Sequence, residues 1–197
     1  MTAATLTPVR PSTLGRAHRV SLSEYHRMGE AGILGPGLRT ELIDGEVIEM
    51  PPIGHPHAGT VDLLANRLGG VVSKRALLRV QGPIWLDDYS EPLPDIALLR
   101  PRADYYRSAH PGPADVLLVI EVADSSLSYD REVKLPRYAL AAVPEVWLVD
   151  LSGRRLLIHR RPEGGRWSDV ETVADLAAVP VPLADGQPAL IDLTDLV

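Results

Sequence analysis

Apolar residues in this chain fall into short runs of two periods, and the change from one period to the other sketches the fold before any chemistry is considered. Ser21 followed by Glu24, with Val20 as a staple residue ahead of them, marks a helix start, and that helix should stop within residues 29–37. The segment ELIDGEVIEM, residues 41–50, reads as two short strands turning at Asp44-Gly45. After the proline-rich PPIGHP, apolar positions at Val61, Leu64, Ala65, Leu68 and Val72 have helical spacing over residues 57–73. Strands are expected around 76–86 and 94–99, with a polar, proline-containing loop over 101–114. Residues 116–122 are almost uninterruptedly apolar, as in a strand covered on both faces. A helix, a strand over 145–151, a turn at Ser152-Gly153 and a strand over 154–160 follow. This order predicts an α/β sandwich around a mixed central sheet. Residues 1–20, with Pro8, Pro11 and Gly15 and no clear period, are expected to be a flexible arm.

A length of 197 residues suits one domain with a real core, so residues 21–197 are read as a single unit. With no cysteine, disulfides, zinc–thiolate sites and thiol nucleophiles are excluded. No apolar run approaches a membrane span and the N-terminus lacks a signal-peptide core, so the expected location is cytoplasmic, with no membrane partner. The net charge of −6 argues against a nucleic-acid partner, but its distribution changes the picture. From about residue 167 the chain carries six acids and no base, which leaves the first 166 residues neutral overall. Arg154, Arg155, Arg160, Arg161 and Arg166 cluster around one expected hairpin, either as a solvated charged face or as a nucleic-acid contact.

Against this outline, acidic residues stand at two strand ends. Pro94-Asp95 opens the run IALL, and the run Val116 to Ile120 ends at Glu121. Two carboxylates brought together at a sheet edge repel unless a cation sits between them, and Mg²⁺ prefers a few carboxylate oxygens with water and substrate phosphate. Asp95 and Glu121 are therefore candidate metal ligands; the alternative is a pair of solvated strand ends. Lys134 is one of only two lysines among twenty basic residues. A compact ammonium there could position a water or neutralise charge on a phosphate, or it could simply pair with Asp130 four residues earlier. Asp130, Lys134 and Tyr138 recur every four residues, so a continuous helix presents them on one face. Pro136 requires that helix either to kink or to begin near Lys134. His55 and His57 are a weak metal pair; His57, opening a helix, is better placed as a phosphate or substrate contact or as a cap. Glu41 is a candidate third carboxylate, or a surface strand residue. Trp85, Trp147 and Tyr138 are read as core.

Taken together, the opening helix, ELIDGEVIEM, His57, Pro94-Asp95, Glu121-Val122 with Ser125, Asp130 with Lys134, and VPEVWLVD over residues 21–160 resemble the Uma-type restriction endonuclease family of the PD-(D/E)XK nuclease superfamily. The resemblance implies a restriction-endonuclease-like α/β/α core. The superfamily lysine would lie two residues after the glutamate, where this chain has Ala123; the Uma-type pattern offers one on the following helix instead, here Lys134. Carried over, Asp95 and Glu121 would be metal ligands, Lys134 the migrated catalytic lysine and Glu41 an accessory acid. The implied activity is a Mg²⁺- or Mn²⁺-dependent endonuclease acting on DNA, and double-strand cleavage would suggest a homodimer. The rival readings are a catalytically inactive member of the fold that binds nucleic acid or a protein partner, and a hydrolase of smaller phosphoesters.

Overall fold

A computed structural model describes residues 15–35 and 37–196, so most of the expected N-terminal arm lies outside the described residues. At the end of that arm, Val20 N donates to Gly45 O at 2.9 Å and Arg19 Nε to Asp44 O at 2.8 Å. Helix α1 spans Leu22–Glu30, and its capping box is complete: Ser21 Oγ accepts from Glu24 N, and Glu24 Oε2 accepts from Ser21 N. Strands β1 (Thr40–Ile43) and β2 (Glu46–Glu49) form the expected hairpin. Its turn residues, Asp44 and Gly45, have φ of 54° and 81°, the left-handed pair that a two-residue turn between right-twisted strands requires.

Helix α2 (His55–Val72) follows, then β3 (Leu77–Val80) and β4 (Ile96–Leu99). The strand expected over 76–86 stops at Val80 because Gln81 is left-handed at φ 48° and Pro83 has no N–H to donate. Strand β5 (Val116–Ala123) is buried at all eight positions. The next segment is helical throughout: α3 (Leu127–Tyr129), a π turn over Asp130–Lys134, and α4 (Leu135–Leu140). Strands β6 (Glu145–Asp150) and β7 (Arg155–Glu163) occupy the expected positions. Strand β8 (Arg166–Thr172) and the ribbon of β9 (Val179–Val181) and β10 (Ala189–Ile191) lie where sequence reasoning foresaw only an acidic segment.

The six-stranded sheet runs β3-β4-β5-β6-β7-β8. Only β5 and β6 are parallel, and the α3–α4 segment supplies the crossover between them. The sheet is therefore mixed, as expected. One face packs Ile96, Leu98, Leu118, Ile120 and Trp147 against Val61, Leu64 and Leu68 of α2 and against Val179 and Ile191 of the ribbon. The other packs Ala97, Val119, Ala123, Val146 and Leu148 against Leu135 and Tyr138. Burying each large aliphatic side chain contributes about 1.5–3 kcal/mol, so β5 anchors both layers. Trp147 is fully buried as expected, whereas Trp85 is 45% exposed and is not core. It lies in the irregular stretch 81–95, outside the sheet, where no second layer covers it.

Candidate active site

Alternation along β4 and β5 delivers two acids to one point. The two strands are antiparallel with Ile96 opposite Ile120, so the next residues outward, Asp95 and Glu121, face each other across the end of the ladder. Residues directly opposed on antiparallel strands project to the same side, here the side that carries α4. Asp95 Oδ2 accepts from Val122 N at 2.9 Å, which locks its carboxylate against β5. Asp95 and Glu121 are 8% and 2% exposed, so the solvated strand ends weighed above are excluded.

Lys134 comes to this point from the other layer. Its Nζ lies 2.7 Å from Glu121 Oε1 and 3.6 Å from Glu41 Oε2, and it donates to Leu93 O at 3.4 Å. Of the two roles weighed for Lys134, the pair with Asp130 does not form: Asp130 Oδ2 accepts instead from Ser126 Oγ at 2.6 Å. A π turn runs through this segment. An α-helix overshoots a full turn by about 40° every four residues, whereas the wider turn brings Asp130, Lys134 and Tyr138 back into line, all three buried. Leu135 N donates to Asp130 O, five residues back, and Pro136 falls in the first turn of α4, where its missing N–H is tolerated.

Glu41 is fully buried, which overturns its alternative as a surface strand residue. It accepts from Leu93 N at 2.9 Å and from Tyr129 Oη at 2.8 Å. The hairpin is held here by an antiparallel bridge between Leu42 and Glu91 and by an ion pair from Arg137 of α4 to Asp44. His57 Nε2 lies 3.0 Å from Asp95 Oδ1. His55 is exposed and takes no part. All five expected site residues, Glu41, His57, Asp95, Glu121 and Lys134, thus converge. Sequence reasoning passed over Tyr129 as a site residue, assigned Tyr138 to the core, and left Asp130 out of the site. Tyr138 is buried, but its hydroxyl donates to Glu121 Oε1 at 2.6 Å. The signal for Asp130 and Tyr138 was their recurrence with Lys134 every four residues; Tyr129 lies outside that recurrence, and nothing in the sequence marks it.

A cavity of about 290 Å³ opens beside this cluster. Asp95, Glu121, Asp130, Lys134, His57 and Tyr129 contribute its polar wall, and Ile48, Met50 and the turn at Pro51-Pro52-Ile53 its apolar rim. Burial pushes the Glu121 carboxyl up to about 8; Lys134 opposes the shift and the charges of Asp130 and Asp95 add to it. Burial likewise raises Asp130. Burial disfavours the Lys134 ammonium, but Glu121, Glu41 and Asp130 outweigh it and hold the lysine charged, above its ordinary range. The hydrogen bond to Asp95 raises His57. Four buried carboxyl groups therefore surround one buried ammonium, and their mutual repulsion disfavours full ionisation unless a further cation offsets it. Among the described residues no group of three or more His, Asp or Glu side chains is arranged to enclose a metal ion without help.

Of the five arginines of the β6–β8 region, two are held by ion pairs: Arg155 pairs with Asp150, and Arg160 with Glu145 and Glu171. Among the described residues no helix is long and apolar enough to cross a membrane.

No curated protein matches the chain. Among solved structures it resembles a crystal structure described as a "putative nuclease belonging to DUF820" from Anabaena variabilis, with a TM-score of 0.62 and 17% identity over 83% of this chain and 89% of that one. At that identity the likeness concerns the fold, the same mixed sheet flanked by helices. The sequence profile of the Uma2 family, described as "Putative restriction endonuclease", matches residues 22–188, which contain every residue of the cluster. The chain belongs to the Uma2 family.

Proposed function

We propose that this chain is a Mg²⁺- or Mn²⁺-dependent endonuclease that hydrolyses phosphodiester bonds of DNA. The observation that carries the reading is the meeting of Asp95, Glu121 and Lys134 at one cavity wall, with Glu41 behind them. The donor set fits a hard divalent ion: it offers carboxylate oxygens, no sulfur, and more negative charge than Lys134 balances. Mg²⁺ commonly uses one or two carboxylates and completes its shell with water and phosphate, so a ready-made cage of three acids is not required. Asp95 and Glu121 would hold the ion. When bound, it would polarise the scissile phosphate and acidify a water.

The chain's own groups have separable tasks. His57 and Val122 N fix the Asp95 carboxylate from both sides, and each bonded oxygen keeps a second lone pair. Tyr138 and Lys134 both act on Glu121 Oε1, so its second oxygen, which takes no hydrogen bond among the described residues, is the one left to ligate or to accept a proton. Lys134 sits where an ammonium can offset charge developing on a phosphate oxygen. Glu41 and Leu93 O hold it there. The apolar rim of Ile48, Met50 and Ile53 would exclude bulk water from the reacting group.

Nicking of supercoiled plasmid tests the proposal, with Mg²⁺ or Mn²⁺ against EDTA and wild type against Asp95→Asn. Cleavage by wild type alone, and only with metal, is expected. Equal cleavage by both proteins would remove Asp95 from the chemistry. Tight DNA binding without cleavage, unaffected by Asp95→Asn, would favour a binding-only protein of this fold. That rival has one observation in its favour, the lack of a preformed three-acid cage.

A further inference from the structure

A second cavity, of about 520 Å³, lies away from the carboxylate cluster, between α1 and the irregular stretch 84–92. That stretch doubles back on itself: Ile84 N donates to Pro92 O, and Leu86 N to Ser90 O. The pairing sets Trp85 opposite Glu91, with their side chains on one face. Trp85 is 45% exposed, unusual for the largest apolar side chain in a chain with few aromatics. Its indole N–H is already used, donating to Asp87 O at 2.9 Å, which fixes the ring of a residue that lines the cavity. Trp85 N donates to Pro111 O, and this places His110 at the cavity wall. His26 of α1 stands across from it, with ring centroids 6.4 Å apart.

The informative group is Glu91. Its side chain is 4% exposed and it lines the cavity. His26 Nε2 lies 2.9 Å from Oε1, but Oε2 is buried with no partner among the described residues. A buried carboxylate oxygen without a donor is costly, so its environment is incomplete in the free chain. The group that completes it must bring an N–H, and the exposed indole face beside it suits a flat ring. His26 is 44% exposed and held by this one contact, so its ring can turn aside to admit the incoming donor.

From this geometry we infer that the Trp85–Glu91 cavity binds a nucleobase bearing an exocyclic amino group, stacked on Trp85 and donating to Glu91. Its wall has the features that base recognition needs: an aromatic face for stacking, and a carboxylate that accepts from the amino group of cytosine or adenine and repels a carbonyl at the same position. The volume is of the size that holds a nucleoside. The inference rests on the nucleic-acid reading for its choice of ligand, but not on cleavage. The cavity serves as a base-reading site separate from the carboxylates.

Cytidine and uridine monophosphates test it, because they differ at C4 by the amino group in question. Isothermal titration in EDTA should show cytidine monophosphate bound at least about tenfold more tightly than uridine monophosphate. Glu91→Gln, nearly isosteric, should remove that preference, since an amide can serve either base. Trp85→Leu should weaken both nucleotides alike. Equal affinities for the two nucleotides in wild type would overturn the inference. So would no binding at all, since a lone water would then satisfy Glu91. Binding in EDTA that survives a failed nicking assay would reject the catalytic proposal alone. Nicking without nucleotide discrimination would reject only this one.

Discussion

Asp95 and Glu121 face each other one step beyond the Ile96–Ile120 pair of the antiparallel ladder, and Val122 N donates to Asp95 Oδ2 at 2.9 Å. The backbone register of two central strands therefore sets the spacing of the two acids, and no flexible loop intervenes. His57 is the side chain that completes this arrangement, at 3.0 Å from Asp95 Oδ1. A group that orients a metal-binding carboxylate typically contributes about 10–100-fold in affinity or activity. His57→Ala should weaken Mn²⁺ binding by about that factor while leaving the fold intact. Calorimetric titration of Mn²⁺ would show it; unchanged affinity would make His57 a substrate contact only.

Among the described residues Lys134 is the sole buried ammonium, and it faces the four buried carboxyl groups of the site, Glu41, Asp95, Glu121 and Asp130. Lys134→Met removes the cation and leaves Glu121 and Glu41 without it, which should cost about 3–5 kcal/mol. Adding Glu121→Gln should recover part of that loss, because the two residues are in direct contact. Urea denaturation of wild type, both single variants and the double variant would measure the coupling. Additive losses would mean that the 2.7 Å contact is not energetically real.

The pH dependence of stability follows from the Glu121 carboxyl, which burial raises from an ordinary 4.5 to about 8. Between those values the folded chain keeps a proton that the unfolded chain has released, so stability falls as pH rises through the window. His57 and Asp130 are also raised and act in the same direction, whereas the raised Lys134 stays protonated throughout. In EDTA, Tm should decline from about pH 5 to about pH 8.5, and Glu121→Gln should flatten the decline. A cation ligated by Glu121 displaces that proton, so Mn²⁺ should raise Tm more at about pH 8.5 than at about pH 6. Equal shifts at both would disconnect Glu121 from the ion.

Tyr138 offers a narrower probe, because only its hydroxyl touches the site. The ring is buried among Leu135, Val146 and Leu148, and Tyr138→Phe preserves that packing. Glu121 Oε1 would lose its 2.6 Å donor, with an expected cost of about 1–3 kcal/mol in thermal or urea unfolding. A neutral result would show that Lys134 alone satisfies that oxygen.

Much of this could be read from the chain because period and punctuation agreed with the final packing. The Ser21 capping box, the Asp44-Gly45 turn, α2 and the apolar β5 are each decided by neighbours in sequence. The meeting of Asp95 with Glu121 was legible as well, since each closes one end of an apolar run. What escaped depends on contacts distant in sequence. Strand β8 is polar and lies at the sheet's edge, so it lacks an apolar period, although Gly164-Gly165 before it is a usable hairpin signal. The ribbon of β9 and β10 is too short to show a period and is stabilised by packing near α2. Whether Lys134 pairs with Asp130 or reaches Glu121 was left open, because helical spacing assumes 3.6 residues per turn across a segment that does not keep it.

That widened turn separates two phases of one helical segment. In a regular α-helix Lys134 would overshoot Asp130 by about 40° and Tyr138 would overshoot it by about 80°. The turn works as a phase joint, through which the ammonium reaches the acids from a neighbouring layer. The strand that carries Glu121 is thereby relieved of hosting a lysine, and two positions later it holds the fully buried Ala123, packed as tightly as any residue of the core. Charge placement and strand packing, which a lysine on the strand would tie together, are assigned here to separate elements and can vary independently.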